Sequence, residues 1–187
     1  IQAICKQVKH YLQTLRPHTP VVYPANCDYL RSLMADAHWC HGIPTHSDQI
    51  NQPWHLKPLS VDWSSFAIFD ANQTPHEVSW SLIGKHNALN ALNVAALLTH
   101  LGMETTSIIQ HISSFKGVTK RMQAIPNTQQ DQLLWDDFAH HPTAIESVLQ
   151  TLKAREPNRR LVVYLQLANY TQREGLMWQD IIKATSI

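Results

Sequence analysis

From Leu133 onward the sequence alternates in a way that leaves few folds open. Leu133 to Asp136 is a short apolar run that reads as a strand. Pro142 to Lys153 reads as a helix, with Pro142 near its first turn, where a missing N–H costs little. Arg160 to Leu167 is a strongly apolar strand, and Arg173 to Ala184 is a further helix. Strand, helix, strand, helix is the order that builds a parallel sheet, because parallel neighbours need a crossover between them. The expected class is therefore α/β.

The chain before this block is more mixed. Ile1 to Leu15 spaces Ile4, Val8, Tyr11, Leu12 and Leu15 as a helix does, and Arg16-Pro17 ends it. Pro20 to Pro24 reads as a short buried strand, and Asn26 to Met34 as a short helix. Asp36 to Leu59, rich in Pro, His and Gln, reads as loop with room for one strand. Ser65 to Ala71 and Val78 to Ile83 read as strands of a hairpin around Asn72-Gln73-Thr74-Pro75. Asn87 to Leu101 is the strongest helix, closed by Gly102, and Thr106 to Phe115 is a shorter one. The pattern changes after Phe115, so the domain boundary is placed there, giving residues 1–115 and 116–187.

Bulk properties exclude several classes. The chain has 187 residues, an apolar content of 44% and a formal net charge of +1, with Lys and Arg scattered. That suits a globular core and gives no footprint for nucleic acid or an anionic membrane. No apolar run approaches the roughly 20 residues that span a bilayer. The three cysteines, Cys5, Cys27 and Cys40, lack metal-site spacing and read as free thiols of a reducing cytoplasm. There is no G-x-S-x-G, H-E-x-x-H, C-x-x-C or G-x-x-x-x-G-K-[ST] element. Ile1 in place of Met, and the abrupt close at Ile187, point to a piece of a longer protein.

Three stretches carry the candidate chemistry. Asp136-Asp137-Phe138-Ala139-His140-His141-Pro142-Thr143 joins a strand's carboxyl end to a helix N-terminus. In open α/β sheets that edge is where ligands bind, and a helix N-terminus favours anions. The carboxylates suit ribose hydroxyls or a metal, and the imidazoles suit a charged substrate. Taken alone, an acid-rich strand end of this kind is more often a helix cap with surface histidines than a site. Gly84-Lys85-His86-Asn87-Ala88-Leu89-Asn90 opens the long helix with Asn87 and Asn90 on one face, able to exchange hydrogen bonds with adenine. The plain alternative is an Asn87 cap with Asn90 in solvent. In Phe115-Lys116-Gly117-Val118-Thr119-Lys120-Arg121 a glycine turn presents Lys120 and Arg121, which could grip phosphate oxygens or simply lie in solvent.

The order GKHNALNAL, FKGVTKRM, DDFAHHPTAI resembles the successive signatures of the Mur ligase family, the ATP-dependent amide-forming enzymes of peptidoglycan synthesis. The likeness is strongest from Ser79 to Leu152. DDFAHHPTAI is more similar to the family's murein-recycling branch than to its L-alanine-adding branch. The resemblance implies the C-terminal part of a central ATPase domain over 1–115, followed by a truncated Rossmann-like domain over 116–187. It implies ATP and Mg²⁺ as cofactors, and UDP-N-acetylmuramate and the murein tripeptide as partners. The remaining domains of the same polypeptide would complete the enzyme.

By the same resemblance Asn87 and Asn90 lie near the adenine, with His86 shaping the nucleotide neighbourhood, and Asp137 holds the ribose. Arg121 with Lys120 serves the phosphates as the catalytic cations. His140 faces the incoming peptide, and Asp136 belongs with the substrate. The implied reaction passes through an acyl phosphate that the peptide amine then attacks. The phosphate loop, the modified lysine and the principal magnesium ligands of the family should precede Ile1, so no metal ligand is expected here and the piece alone should not ligate. Ala168 to Arg173 departs from the family's usual loop, which puts substrate contacts by Asn169 and Arg173 in doubt.

Overall fold

The computed structural model describes residues 2–126, 132–166, 174–175 and 177–186. Its elements run α1 (Gln2–Gln13), β1 (Pro20–Pro24), α2 (Asp28–Asp36), β2 (His41–Thr45), β3 (His55–Pro58), β4 (Ser65–Phe69), β5 (Pro75–Ser79), α3 (Lys85–His100) and α4 (Thr105–Ser114). They continue with β6 (Gln123–Ile125), β7 (Leu134–Asp136), α5 (Pro142–Arg155) and α6 (Trp178–Thr185). The class is α/β. The chain divides into two compact units. Unit 1 comprises Ile1–Leu59, Ser65–Trp80 and Ala88–Phe115, and unit 2 comprises Ser60–Ser64, Ser81–Asn87 and Lys116–Ile187.

Unit 1 is built on two small sheets. β1 and β2 pair in parallel from Pro20↔His41 to Pro24↔Thr45. β3, β4 and β5 form an antiparallel sheet with β4 in the middle. The central position explains why Phe66, Ala67 and Ile68 are all buried: β4 is covered on both edges and on both faces. The β4–β5 turn is held by Asp70, whose carboxylate accepts the amides of Asn72 (2.8 Å) and Thr74 (2.9 Å). α3 supplies Ala91, Leu92, Ala95 and Ala96 to the core, and α4 packs against β5 through a face containing Ile108 and Ile112. The Gly102 closure of α3 is a Schellman pair, Gly102 N–H to Thr99 O (3.0 Å) and Met103 N–H to Leu98 O (3.1 Å).

Unit 2 is organised by α5, which offers two apolar rows. Ile145 and Leu149, four apart, pack on Ile181 and Ala184 of α6. Leu152, with Val148 beside it, packs on Ile83 and Met122, and Trp135 of β7 joins that cluster. Three stretches far apart in sequence are thereby gathered around one helix.

Several sequence expectations are corrected. Asp36 to Leu59 contains two strands, β2 and β3, where one was allowed, because His and Lys obscure the alternation there. Pro20–Pro24 is half-buried at every position rather than buried. The strand expected from Val78 to Ile83 ends at Ser79, and the chain then turns so that the Gly84 amide reaches the Asp62 carbonyl (2.7 Å). The last helix begins at Trp178. The largest departure is at Arg160 to Leu167. Residues 160–166 form no strand, and Leu167 lies outside the described residues. β-branched composition favours a strand only when a ladder partner and a covering face are both present. Here most of the segment stays exposed, Tyr164 at 95%, although Leu165 packs against the α5–α6 cluster, and with β7 and α5 it lines an open cavity of about 720 Å³. Among the described residues the expected parallel sheet of this region is absent, since β6 and β7 pair antiparallel.

Candidate functional site

The DDFAHHPT octet does follow a strand and open a helix. β7 ends at Asp136, and α5 begins at Pro142 with His141 as its N-cap residue in extended conformation. The His141 side chain makes no capping bond. Asp137 is instead the organising residue. Its carboxylate accepts the Ala139 amide (2.6 Å), closing the turn, and the Met122 amide (2.7 Å), across to another loop. The neighbouring Phe138 amide donates to the Lys120 carbonyl (2.8 Å). Residues 137–138 therefore hold the peptide groups on both sides of Arg121.

The 117–122 loop needs that support. Gly117, Lys120 and Met122 all have left-handed backbones, with φ of 91°, 60° and 47°. Only glycine adopts this region without cost, so Lys120 and Met122 are held there by their surroundings. A Cβ on Gly117 would lie 2.6 Å from Leu82 Cδ2 as well. The loop presents Lys120 and Arg121 at the surface. The Arg121 guanidinium lies 5.6 Å from the centre of the Phe138 ring, within cation–π range.

The third component comes from the start of α3. Gly84 has φ +96°, and the His86 imidazole folds back over it, so that a Cβ there would sit 2.7 Å from the ring. His86 is half-buried and feels both Asp137 and Arg121. Burial pushes its pKa below the ordinary imidazole value, and the Arg121 charge pushes the same way against the opposing pull of Asp137. The ring is therefore neutral at pH 7 and adds no charge beside Arg121. Next to it, Asn87 is half-buried and donates through Nδ2 to the Ile83 carbonyl (2.8 Å), fastening the helix start to the turn before it.

His86, Arg121 and Asp137 are thus brought within electrostatic reach of one another inside unit 2, with Asn87 adjoining and Lys120 beside Arg121. Asp136 is half-buried in β7, paired with Gln123 of β6. His140 is half-buried too, its Nδ1 3.0 Å from the Phe138 carbonyl and its ring edge-on to Phe138 with centroids 5.2 Å apart. Asn90 is exposed on the next turn of α3, in the part that belongs to unit 1. Asn169 and Arg173 lie outside the described residues. Among the described residues no group of three or more His, Cys, Asp or Glu side chains is arranged to hold a metal ion. No described helix is long and apolar enough to cross a membrane.

Sequence reasoning missed two supports of this region. Phe138 belongs to the motif, but the sequence alone gives it no role. Asp62 was not singled out at all, yet its buried carboxylate accepts from Ser60 Oγ (2.9 Å), Ser64 Oγ (2.7 Å), the Ser64 amide (3.1 Å) and Arg155 (3.0 Å). Arg155, at the end of α5, also lies 5.6 Å from the Trp135 ring centre. The S-x-D-x-S spacing of Ser60, Asp62 and Ser64 was the available signal, since short side chains at such offsets close local turns.

Burial works to raise the Asp62 pKa, but the Ser64 and Ser60 bonds and the Arg155 charge outweigh it and hold the carboxyl below its usual range. A carboxyl with a depressed folded-state pKa stabilises fully above its unfolded value near ~3.9, and that contribution is lost as pH falls through the folded value. Arg155→Ala should therefore destabilise by about 1–2 kcal/mol at neutral pH, a figure discounted for the partial exposure of Arg155. The difference from the parent should shrink below about pH 4. Urea midpoints at pH 7 and pH 3.5 check this.

The chain is similar to several known proteins. Residues 120–186 match the family model described as the Mur ligase glutamate ligase domain. The UDP-N-acetylmuramate–L-alanyl-gamma-D-glutamyl-meso-2,6-diaminoheptandioate ligase of Escherichia coli K12 is 27% identical over 184 residues, covering 97% of this chain and 39% of that protein. The UDP-N-acetylmuramate–L-alanine ligase of Dictyoglomus turgidum is 35% identical over 129 residues, covering 69% of this chain and 27% of that protein. The crystal structure of a murein peptide ligase from Psychrobacter arcticus superposes with a TM-score of 0.65 at 25% identity, covering 98% of this chain and 44% of that one. The chain spans less than half the length of each of these three relatives. Residues 120–186 are a Mur ligase C-terminal domain, and over its length the chain is similar to Mur ligases.

Proposed function

We propose that this chain forms part of an ATP-dependent ligase that joins UDP-N-acetylmuramate to the tripeptide L-Ala-γ-D-Glu-meso-diaminopimelate in the cytoplasm, during peptidoglycan recycling. In this reading the central ATP-binding domain ends near Phe115 and the C-terminal domain follows. Other domains of the same polypeptide supply the phosphate loop and the sugar-nucleotide site. The observation that carries the reading is the meeting of His86, Arg121 and Asp137, one cation, one anion and one neutral imidazole. That set suits a nucleotide: Arg121 with Lys120 for phosphate oxygens, Asp137 for the ribose, Asn87 and His86 for the base side. A guanidinium is always charged and grips two oxygens at once, which suits charge spread over a transferring phosphoryl. ATP would supply that phosphoryl to the muramyl carboxylate, and the peptide amine would then displace phosphate, approaching on the side of His140 and Asp136. Mg²⁺ would be held by residues of the same polypeptide outside this chain, and no step is assigned to it here.

In the full-length protein, Arg121→Ala should lower kcat for tripeptide-dependent ADP release about 100-fold, the scale of losing one charge-stabilising donor in the transition state. ATP affinity should fall less. An Arg121→Ala enzyme with unaltered turnover sinks the assignment of Arg121 to the phosphoryl. A second reading, ligation of L-alanine to the same sugar nucleotide, is favoured by the higher identity to the Dictyoglomus turgidum ligase. Competing the two acceptors decides between them: preference for free L-alanine overturns the first reading.

A further inference from the structure

Phe138 exposes 53% of its surface, although a large apolar ring in a turn gains nothing by facing solvent. The ring is nevertheless engaged with its surroundings. The Arg121 guanidinium lies 5.6 Å from its centre, and the His140 ring stands edge-on with centroids 5.2 Å apart. The Phe138 amide holds the Lys120 carbonyl at 2.8 Å, and Asp137 holds the Met122 amide at 2.7 Å. Backbone on both sides of residue 121 and the side chain of residue 121 are thus fixed by the same two-residue stretch. An exposed arginine otherwise loses up to about 2 kcal/mol of rotamer freedom on engaging an anion. Part of that loss is already incurred when the guanidinium rests on an aromatic face.

We propose that Phe138 is a positioning residue that presents the Arg121 guanidinium to the phosphate groups of the nucleotide. This rests on the reading of Arg121 given above. Contact with the ring restricts where the guanidinium can go, so that its planar fork can meet a pair of oxygens at less cost in rotamer freedom. A lysine on the same ring would lack the planar fork, and a leucine in place of the ring would lack the quadrupole that attracts the cation. Asp137 sets the height of the loop, and Phe138 sets the direction of its charge.

The test is a double-mutant cycle in the full-length enzyme, with steady-state kinetics against ATP and the ring-current shift of the Arg121 side-chain protons by NMR. Phe138→Leu should lower kcat/KM for ATP about fivefold, in line with a partly solvated cation–π contact. Phe138→Tyr should retain parental kinetics, because the ring face remains. In an Arg121→Ala background Phe138→Leu should add nothing, since the contact is already gone. The upfield shift of the Arg121 protons should be present in the parent and in Phe138→Tyr and absent in Phe138→Leu. A Phe138→Leu loss that persists undiminished in the Arg121→Ala background overturns the proposal, as does failure of tyrosine to restore activity. If Arg121→Ala is itself silent, the functional reading of Arg121 fails. In that case the proton shifts still decide whether Phe138 holds the guanidinium.

Discussion

Ile83→Ala is expected to destabilise unit 2 by roughly 2–5 kcal/mol, the usual cost of truncating a fully buried aliphatic side chain. Ile83 has 0% exposure and packs with Met122 and Leu152. It therefore joins the segment before α3 to the loop that carries Arg121 and to the last turns of α5. Its carbonyl also receives the Asn87 side chain. A cavity at this point loosens each of those attachments together. Amide exchange across α5, at Leu149 and Leu152, should accelerate by the factor that the lost free energy sets. An exchange pattern identical to the parent would mean that the three segments are anchored elsewhere.

Phe66→Ala should cost about 3–5 kcal/mol in unit 1. The ring has 0% exposure on the middle strand of the β3–β4–β5 sheet and meets Trp80 edge-on at 5.2 Å. Neither strand beside β4 can close the hole without breaking a ladder, so relaxation is limited. Guanidinium denaturation followed by far-UV circular dichroism reads the midpoint. A shift worth less than about 1 kcal/mol would show that the sheet collapses around the missing ring.

What was legible in the sequence follows the range of the forces involved. α3 and α5 are readable because their signals are local: apolar spacing, a glycine at one end, a proline at the other. The β4–β5 hairpin is readable for the same reason, from its Asn-Gln-Thr-Pro turn. The octet after β7 is recognisable as a junction of strand and helix that suits either a cap or a site. Its actual wiring was not readable. That Asp137 binds the Met122 amide depends on how β6 and β7 pair, which no short-range pattern reports. Likewise Asp62 and Arg155 meet across 93 positions of sequence. The failure at 160–166 is of another kind. Leu161, Val162 and Val163 have strand-forming side chains, but propensity cannot create the neighbouring ladder that would fix them.

That unpaired stretch has a practical consequence. Leu161 to Tyr164 puts four adjacent apolar side chains in solvent beside an open cavity, the composition that templates cross-β growth between molecules. Arg160 stands directly before it, beyond the Arg159–Glu156 ion pair, and like charges brought face to face by stacking would repel. Raising the ionic strength, by screening that guanidinium, should then shorten the time for which a concentrated solution of this polypeptide stays clear.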